Sequence, residues 1–167
     1  MTVLASDRTG IVKQLSETIA DHGGNWLESR MARLAGQFAG ILRIECDAAK
    51  MMGLVQALEA LSEEGISIQV KREAVAEIPK QAMLTLDVVG NDRPGIVKAL
   101  SAAIAEAGAN VEELHTALES APMAGHPLFH AVGVVSLPQM LSMEALVESI
   151  ESLGEDLAVT VERSDPN

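Results

Sequence analysis

The sequence predicts an α+β fold built as two copies of one βαββαβ unit, each an antiparallel sheet with both helices on one face. Three observations carry this reading. Residues 5–25, ASDRTGIVKQLSETIADHGGN, return as residues 90–110, GNDRPGIVKALSAAIAEAGAN. A second pair of apolar helical stripes recurs further along each copy. Between the helices the apolar period falls from 3.6 to 2, the signature of half-buried strands.

At an offset of 85 (92 minus 7), Asp7 falls on Asp92, Arg8 on Arg93, Gly10 on Gly95, and Ile11, Val12 and Lys13 on Ile96, Val97 and Lys98. Leu15, Ser16, Ile19, Ala20, Gly23 and Asn25 then meet Leu100, Ser101, Ile104, Ala105, Gly108 and Asn110. Such a density of identity marks an internal duplication.

The first strand of the second copy carries Leu84, Leu86 and Val88 on alternate positions. Met1 aligns with Leu86, so the first copy lacks counterparts of Met83, Leu84 and Thr85, and its first strand is expected to be short. The turn DRPG follows. Pro94 suits the first helical position, where its missing N–H costs nothing. Gly95 is then expected inside the first helical turn, where glycine costs about 1 kcal/mol relative to alanine. Its presence in both copies, as Gly10 and Gly95, calls for a reason. Without a Cβ the backbone can be approached closely by a ligand or another domain, and the exposed N–H groups favour a carboxylate-like anion. A purely structural alternative has Asp7 and Asp92 capping free N–H groups while Arg8 and Arg93 are solvated.

The first helix of each copy is expected to end at Gly23 and Gly108 in the left-handed conformation. Asn25 and Asn110 follow, placed for a polar turn, with local turn formation and ligand contact both open. In QFAGILRIEC, Phe38, Gly40, Leu42, Ile44 and Cys46 alternate with Ala39, Ile41, Arg43 and Glu45, a strand with one buried face. Met51, Leu54, Val55, Leu58 and Leu61 form a helical stripe that returns, with an offset of 92 (143 minus 51), as Met143, Leu146, Val147, Ile150 and Leu153. The larger offset reflects extra residues in SAPMAGHP, residues 120–127, whose prolines and glycine place a loop between the second and third strands. Ile66, Ile68 and Val70 alternate in the last strand of the first copy. The order is that of the ferredoxin-like split βαβ unit. The domains are expected at 1–73 and 80–164, joined by a short linker over residues 73–80. Open sheet faces and edge strands need partners, so the copies are expected to pack together and the chain to form a homodimer.

Composition narrows the function classes. Net charge is −12 and the isoelectric point about 4.6, so a polyanion would be repelled over most of the surface. With no Tyr, one Trp and two Phe there is little on which bases could stack, and direct nucleic-acid binding is not expected. Cys46 is the only cysteine, which excludes an intramolecular disulfide and a multi-cysteine metal site. It is read as a small buried hydrophobe. Apolar runs fall short of the roughly 18 residues needed to cross a bilayer, and the start MTVLASDRTG is unlike a signal peptide, so a cytoplasmic location is expected.

No catalytic signature is present: HExxH, GxSxG, the P-loop and a strand-linked GxGxxG are all missing. His126 and His130 are four apart, but Pro127 opposes the helix that would aim both at one metal. His22 and His115 read as ordinary surface or strand histidines. Glu63 and Glu64, and Glu155 and Asp156, read as solvated helix ends, and Met31, Met51, Met52, Met140 and Met143 as packing residues. No enzyme activity, metal or cofactor is expected.

Strand, D-R-x-G-I-V, helix, G-x-N, two strands, helix and strand, met twice, resembles the ACT domain, a regulatory amino-acid-binding family. With NWLESRMARLAGQFAG in the first copy and SAPMAGHPLFHA in the second, the chain is most similar to the glycine cleavage system transcriptional repressor group. The resemblance implies a non-enzymatic sensor that holds a small amino acid, glycine- or serine-like, at a domain interface beside the turn glycine. It also implies action through a partner transcription regulator. Carried over, it points to Asp7, Arg8, Thr9, Gly10, Ile11 and Asn25, and to Asp92, Arg93, Pro94, Gly95, Ile96 and Asn110, as ligand-binding residues. Thr9 departs from the family's usual proline. A protein-protein interaction module without a small ligand is the alternative.

Overall fold

The computed structural model describes residues 1–72, 81–120, 127–138 and 142–163. The chain divides into two compact units, Met1–Ala76 and Glu77–Asn167. In the first the order is β1 (Thr2–Ser6), α1 (Ile11–Asp21), β2 (Gly24–Leu34), β3 (Gln37–Cys46), α2 (Met51–Ala60), a 3-10 turn (Leu61–Glu64) and β4 (Ile66–Gln69). The second repeats it as β5 (Ala82–Asn91), α3 (Ile96–Glu106), β6 (Asn110–Ser120), β7 (Pro127–Leu137), α4 (Met143–Glu151) and β8 (Ala158–Arg163). The two antiparallel sheets run β2-β3-β1-β4 and β6-β7-β5-β8, so the strand that opens each unit lies inside its sheet. This is the ferredoxin-like α+β fold, twice.

One core fills each unit between the helices and one sheet face. In the first, Leu15 and Ile19 of α1 and Leu54 and Leu58 of α2 meet Val3, Ala5, Leu42 and Ile66 of the strands. In the second, Leu100, Ile104, Leu146 and Ile150 meet Leu84, Leu86, Val88, Phe129 and Val135. The alternation expected for residues 37–46 is present: Leu42 is buried, Phe38, Gly40, Ile44 and Cys46 are half-buried, and their neighbours are exposed. The stripe on α2 buries Leu54 and Leu58, but Met52, read as a packing residue, points outward at 69% exposure. β1 has five residues against ten in β5, the shortness expected of the first copy.

The turns explain several glycines. β2 joins β3 through Ala35 and Gly36 alone, with φ of 48° and 77°, the two positive values of a type I′ hairpin. In the second unit the corresponding connection runs from Ser120, paired with Pro127, through residues 121–126, which lie outside the described residues, as does the linker over 73–80. Gly23 and Gly108 close α1 and α3 with φ of 70° and 80°, as expected. Asn25 and Asn110 are not in turns: each stands at the start of a strand, Asn25 opposite Glu45 and Asn110 opposite Ser136. The glycine reverses the chain alone, and pairing with the next strand begins at once.

Candidate functional site

The duplicated turn has one geometry in both units, and it differs from the helical placement expected of Gly95. α3 begins at Ile96, and Gly95 is its N-cap with φ 87° and ψ 6°. Pro94 therefore precedes the helix. The Ile96 N–H donates to the Arg93 carbonyl at 3.1 Å, closing a β-turn with proline and glycine at its second and third positions, the type II arrangement. Gly10 caps α1 in the same way, with φ 96°. The glycine is required by this left-handed backbone and not by crowding, since a Cβ at either position would meet nothing within 4 Å.

The arginines are not merely solvated. Arg93 donates through Nη1 to the Asp156 carboxylate at 3.2 Å and through Nη2 to the Leu153 carbonyl at 3.0 Å. Asp156 also accepts the Asn91 N–H at 3.0 Å. That backbone hydrogen bond, with the Arg93 charge behind it, holds the Asp156 carboxyl below its ordinary value. In the first unit Arg8 donates to Gln14 at 3.0 Å and to the Glu64 carbonyl at 3.4 Å, and Gln14 donates to the Glu64 carboxylate. Both arginines thus bind the β-α turn to the chain entering the last strand. Glu64 and Asp156, read from sequence as solvated helix ends, are the receiving groups.

The aspartates differ. The Asp7 carboxylate is engaged by Arg33 of β2 at 3.3 Å. Asp92 has no hydrogen-bond or ion-pair partner for its carboxylate among the described residues. It stands instead at the rim of a cleft of about 390 Å³, lined by residues 92–97 of the turn and helix start, 116–118 of β6, and Phe129 of β7. Asp92, Arg93, Pro94, Gly95 and Ile96 are therefore brought together on one cavity, and Asn110 is not among its lining residues. Its amide donates to Glu112 at 2.8 Å, which also accepts from Ser136 at 2.7 Å. In the first unit a cleft of about 300 Å³ lies elsewhere, between Asp21, His22 and Gly23 and the start of α2 at Lys50, and none of Asp7, Arg8, Thr9, Gly10, Ile11 or Asn25 lines it.

The far wall of the larger cleft escaped the sequence reading. Thr116, Ala117, Leu118 and Phe129 are non-local partners of the turn, and only the strand register brings them there. On the opposite sheet face lies a second unanticipated cluster. His130 Nδ1 sits 2.8 Å from Glu119 and Nε2 3.1 Å from Asp87, so one imidazole links β6, β7 and β5. The hydrogen bond to Glu119, aided by the Asp87 charge, raises the His130 pKa above its ordinary value. His126, its proposed companion in metal binding, and Met140 lie outside the described residues. Among the described residues no group of three or more His, Cys, Asp or Glu is placed to hold a metal ion, and no helix is long and apolar enough to cross a membrane.

Comparison with known proteins agrees with this architecture. A solved structure of a protein of unknown function from Galdieria sulphuraria is 32% identical, with a TM-score of 0.84 over 98% of this chain and 96% of that one. A solved protein assigned as a glycine cleavage system transcriptional repressor shares the fold, with a TM-score of 0.71 at 16% identity over 98% and 95% of the two chains. A UPF0237 protein of Methanopyrus kandleri is 38% identical over 76 residues, 44% of this chain and 77% of its own length. The ACT domain matches residues 1–71 and again residues 82–121. With both repeats matched, and with two βαββαβ units of the corresponding topology, this chain belongs to the ACT domain family.

Proposed function

We propose that the chain is a non-enzymatic regulatory protein, its ACT units spanning 1–73 and 80–164, that senses a small amino acid at the cleft of the second unit. The observation that carries this is the Asp92 carboxylate, without a partner among the described residues, at the rim of an otherwise largely apolar cavity beside a helix start. An α-amino acid is a zwitterion with a short side chain. Its ammonium suits Asp92. Its carboxylate suits the Val97 and Lys98 N–H groups in the first turn of α3, which have no intrahelical partner and lie at the positive end of the helix dipole, the Ile96 N–H being already donated to the Arg93 carbonyl. Its side chain would rest among Ile96, Leu118 and Phe129. The volume admits a glycine- or serine-sized ligand, and likeness of fold to the glycine cleavage repressor favours that class.

In this reading the remaining candidate residues serve by position. Pro94 and Gly95 set the turn, Arg93 fixes it to the Asp156 region, and Ile96 forms the floor. Asp7, Arg8, Thr9, Gly10, Ile11, Asn25 and Asn110 shape the equivalent turn or the adjoining strands. The output is modulation of a partner transcription regulator by a homodimer of this chain, as in glycine cleavage control. Calorimetric titration of the wild type and Asp92→Ala with glycine and L-serine tests the ligand step. Binding by the wild type that weakens at least tenfold in the variant supports it, and equal affinity removes Asp92 from the site.

The alternative, an interaction module without a small ligand, draws on a different feature. Leu4, Ile41 and Leu34 are exposed, at 53%, 66% and 81%. Leu4 and Ile41 lie on neighbouring strands on the face away from the core. A partner protein covering that surface would account for them.

A further inference from the structure

We infer that amino-acid binding is confined to the second repeat, because one exchange of residue type closes the equivalent place in the first. This rests on the reading of Asp92 above and sets its stoichiometry at one ligand per chain.

The two units can be compared position by position. Arg33 and Leu118 occupy the same place at the offset of 85 (118 minus 33), and each is paired in register with a phenylalanine, Phe38 and Phe129. Ala32 and Ala117 are identical neighbours, and Gly10 and Gly95 share the left-handed cap. The left-handed cap and the strand register are thus shared between the copies, while side chains facing the turn differ: Met31 stands where the second copy has Thr116, and the charged Arg33 where it has Leu118. In the first unit Arg33 Nη1 lies 3.3 Å from Asp7 Oδ2, so the carboxylate that would receive a ligand ammonium already holds a cation. In the second, Leu118 offers no charge, the Asp92 carboxylate has no partner among the described residues, and the cleft is lined by both.

An exposed ion pair of this kind is weak in itself, worth roughly 0–1 kcal/mol. As a competitor it is stronger than that figure suggests. The guanidinium is tethered beside its carboxylate, at an effective concentration on the order of millimolar or above, which a free ligand must exceed to displace it. Arg33 also places a long side chain where Leu118 leaves room. Charge and volume act in the same direction, and the first repeat remains a structural copy of the site without its vacancy.

The test is a reciprocal exchange at two surface positions, Arg33→Leu and Leu118→Arg, with the fold of each variant verified by circular dichroism. Equilibrium dialysis with labelled glycine, L-serine and L-leucine then counts sites. The wild type is expected to bind one equivalent of the preferred probe, Leu118→Arg none, and Arg33→Leu two. Two equivalents on the wild type, retention of binding by Leu118→Arg, or a single equivalent on Arg33→Leu would overturn the confinement to one repeat while leaving the amino-acid reading intact. Absence of binding by every probe to the wild type and to Arg33→Leu would overturn that reading, and the stoichiometry with it.

Discussion

Arg93 and Asp156 face each other at 3.2 Å across the turn that opens α3 and the chain that enters β8, 63 residues apart in sequence. The same carboxylate receives the Asn91 backbone at 3.0 Å, so one aspartate holds both ends of the duplicated turn. Arg8 performs the corresponding task in the first unit with a carbonyl, that of Glu64, as its acceptor. The turn that lines the cleft is therefore held by Asp156, which is not among the cleft's lining residues.

Asp156 gives this tie a pH signature. Its carboxyl titrates below the ordinary value of 3.8, so its stabilisation is fully present above that value and is lost as pH falls through the lower folded-state value. Thermal unfolding followed between about pH 5 and pH 2 should show a steeper acid loss in the wild type than in Asp156→Asn, which already lacks the charge. Identical acid profiles would show that the carboxylate contributes nothing to stability.

His130 titrates in the opposite sense. Its pKa is raised above 6.5 by Glu119 and Asp87, so its contribution is fully present below 6.5 and disappears as pH rises through the raised value. Two-dimensional NMR of the imidazole should report a midpoint above 6.5, falling in Glu119→Gln. A midpoint that Glu119→Gln leaves unmoved would rule out the cross-strand bridge as its cause.

The glycines separate backbone conformation from crowding. Gly95→Ala and Gly10→Ala place a side chain in open space at positive φ and should each cost about 1–2 kcal/mol in denaturant unfolding. Gly133→Ala should cost more, because a Cβ on β7 would press into the Glu113 carbonyl of the paired strand. An equal or smaller loss at Gly133 would mean that the bulge between Val111 and Glu113 yields easily.

Two leucines mark the extremes of packing. Leu15 is fully buried and Leu34 is 81% exposed. Leu15→Ala should destabilise the first unit by about 2–5 kcal/mol, whereas Leu34→Ala should stay within about 0.5 kcal/mol of the wild type. A substantial loss at Leu34 would show that this residue is covered in solution.

Most of the fold was legible because periodicity is local. The stripe Leu54, Val55 and Leu58 and the alternation around Leu42 identify elements without knowledge of their partners. The capping positions Gly23 and Gly108 were legible for the same reason, as a glycine directly after an apolar helix. The helix starts two residues later than Pro94 suggests, at Ile96: Pro94 is compatible with either the first helical position or the second position of a type II turn, and only the Arg93 to Ile96 hydrogen bond separates them. Asn25 and Asn110 were assigned to turns because asparagine favours them, yet strand pairing took precedence.

The candidate site was half legible. Its near wall, Asp92 to Ile96, is contiguous and repeated, so the sequence exposes it. Its far wall comes from strands paired across a long connection, and no local signal marks Leu118 or Phe129. The repeat continues past residue 110, where Leu118 stands at the position of Arg33. Sequence proximity pairs His130 with His126, whereas its partners Glu119 and Asp87 are 11 and 43 residues away.

The central claim, a regulatory protein that senses a small amino acid, is met most directly by thermal unfolding of the purified chain with each common amino acid at millimolar concentration. A ligand that binds only the folded state must raise the midpoint, with about 2.7 kcal/mol of stabilisation at a hundred times its dissociation constant. The account predicts a selective rise with glycine or serine that Asp92→Ala abolishes. A midpoint unchanged across the whole panel would contradict it and transfer the function to the exposed face around Leu4 and Ile41.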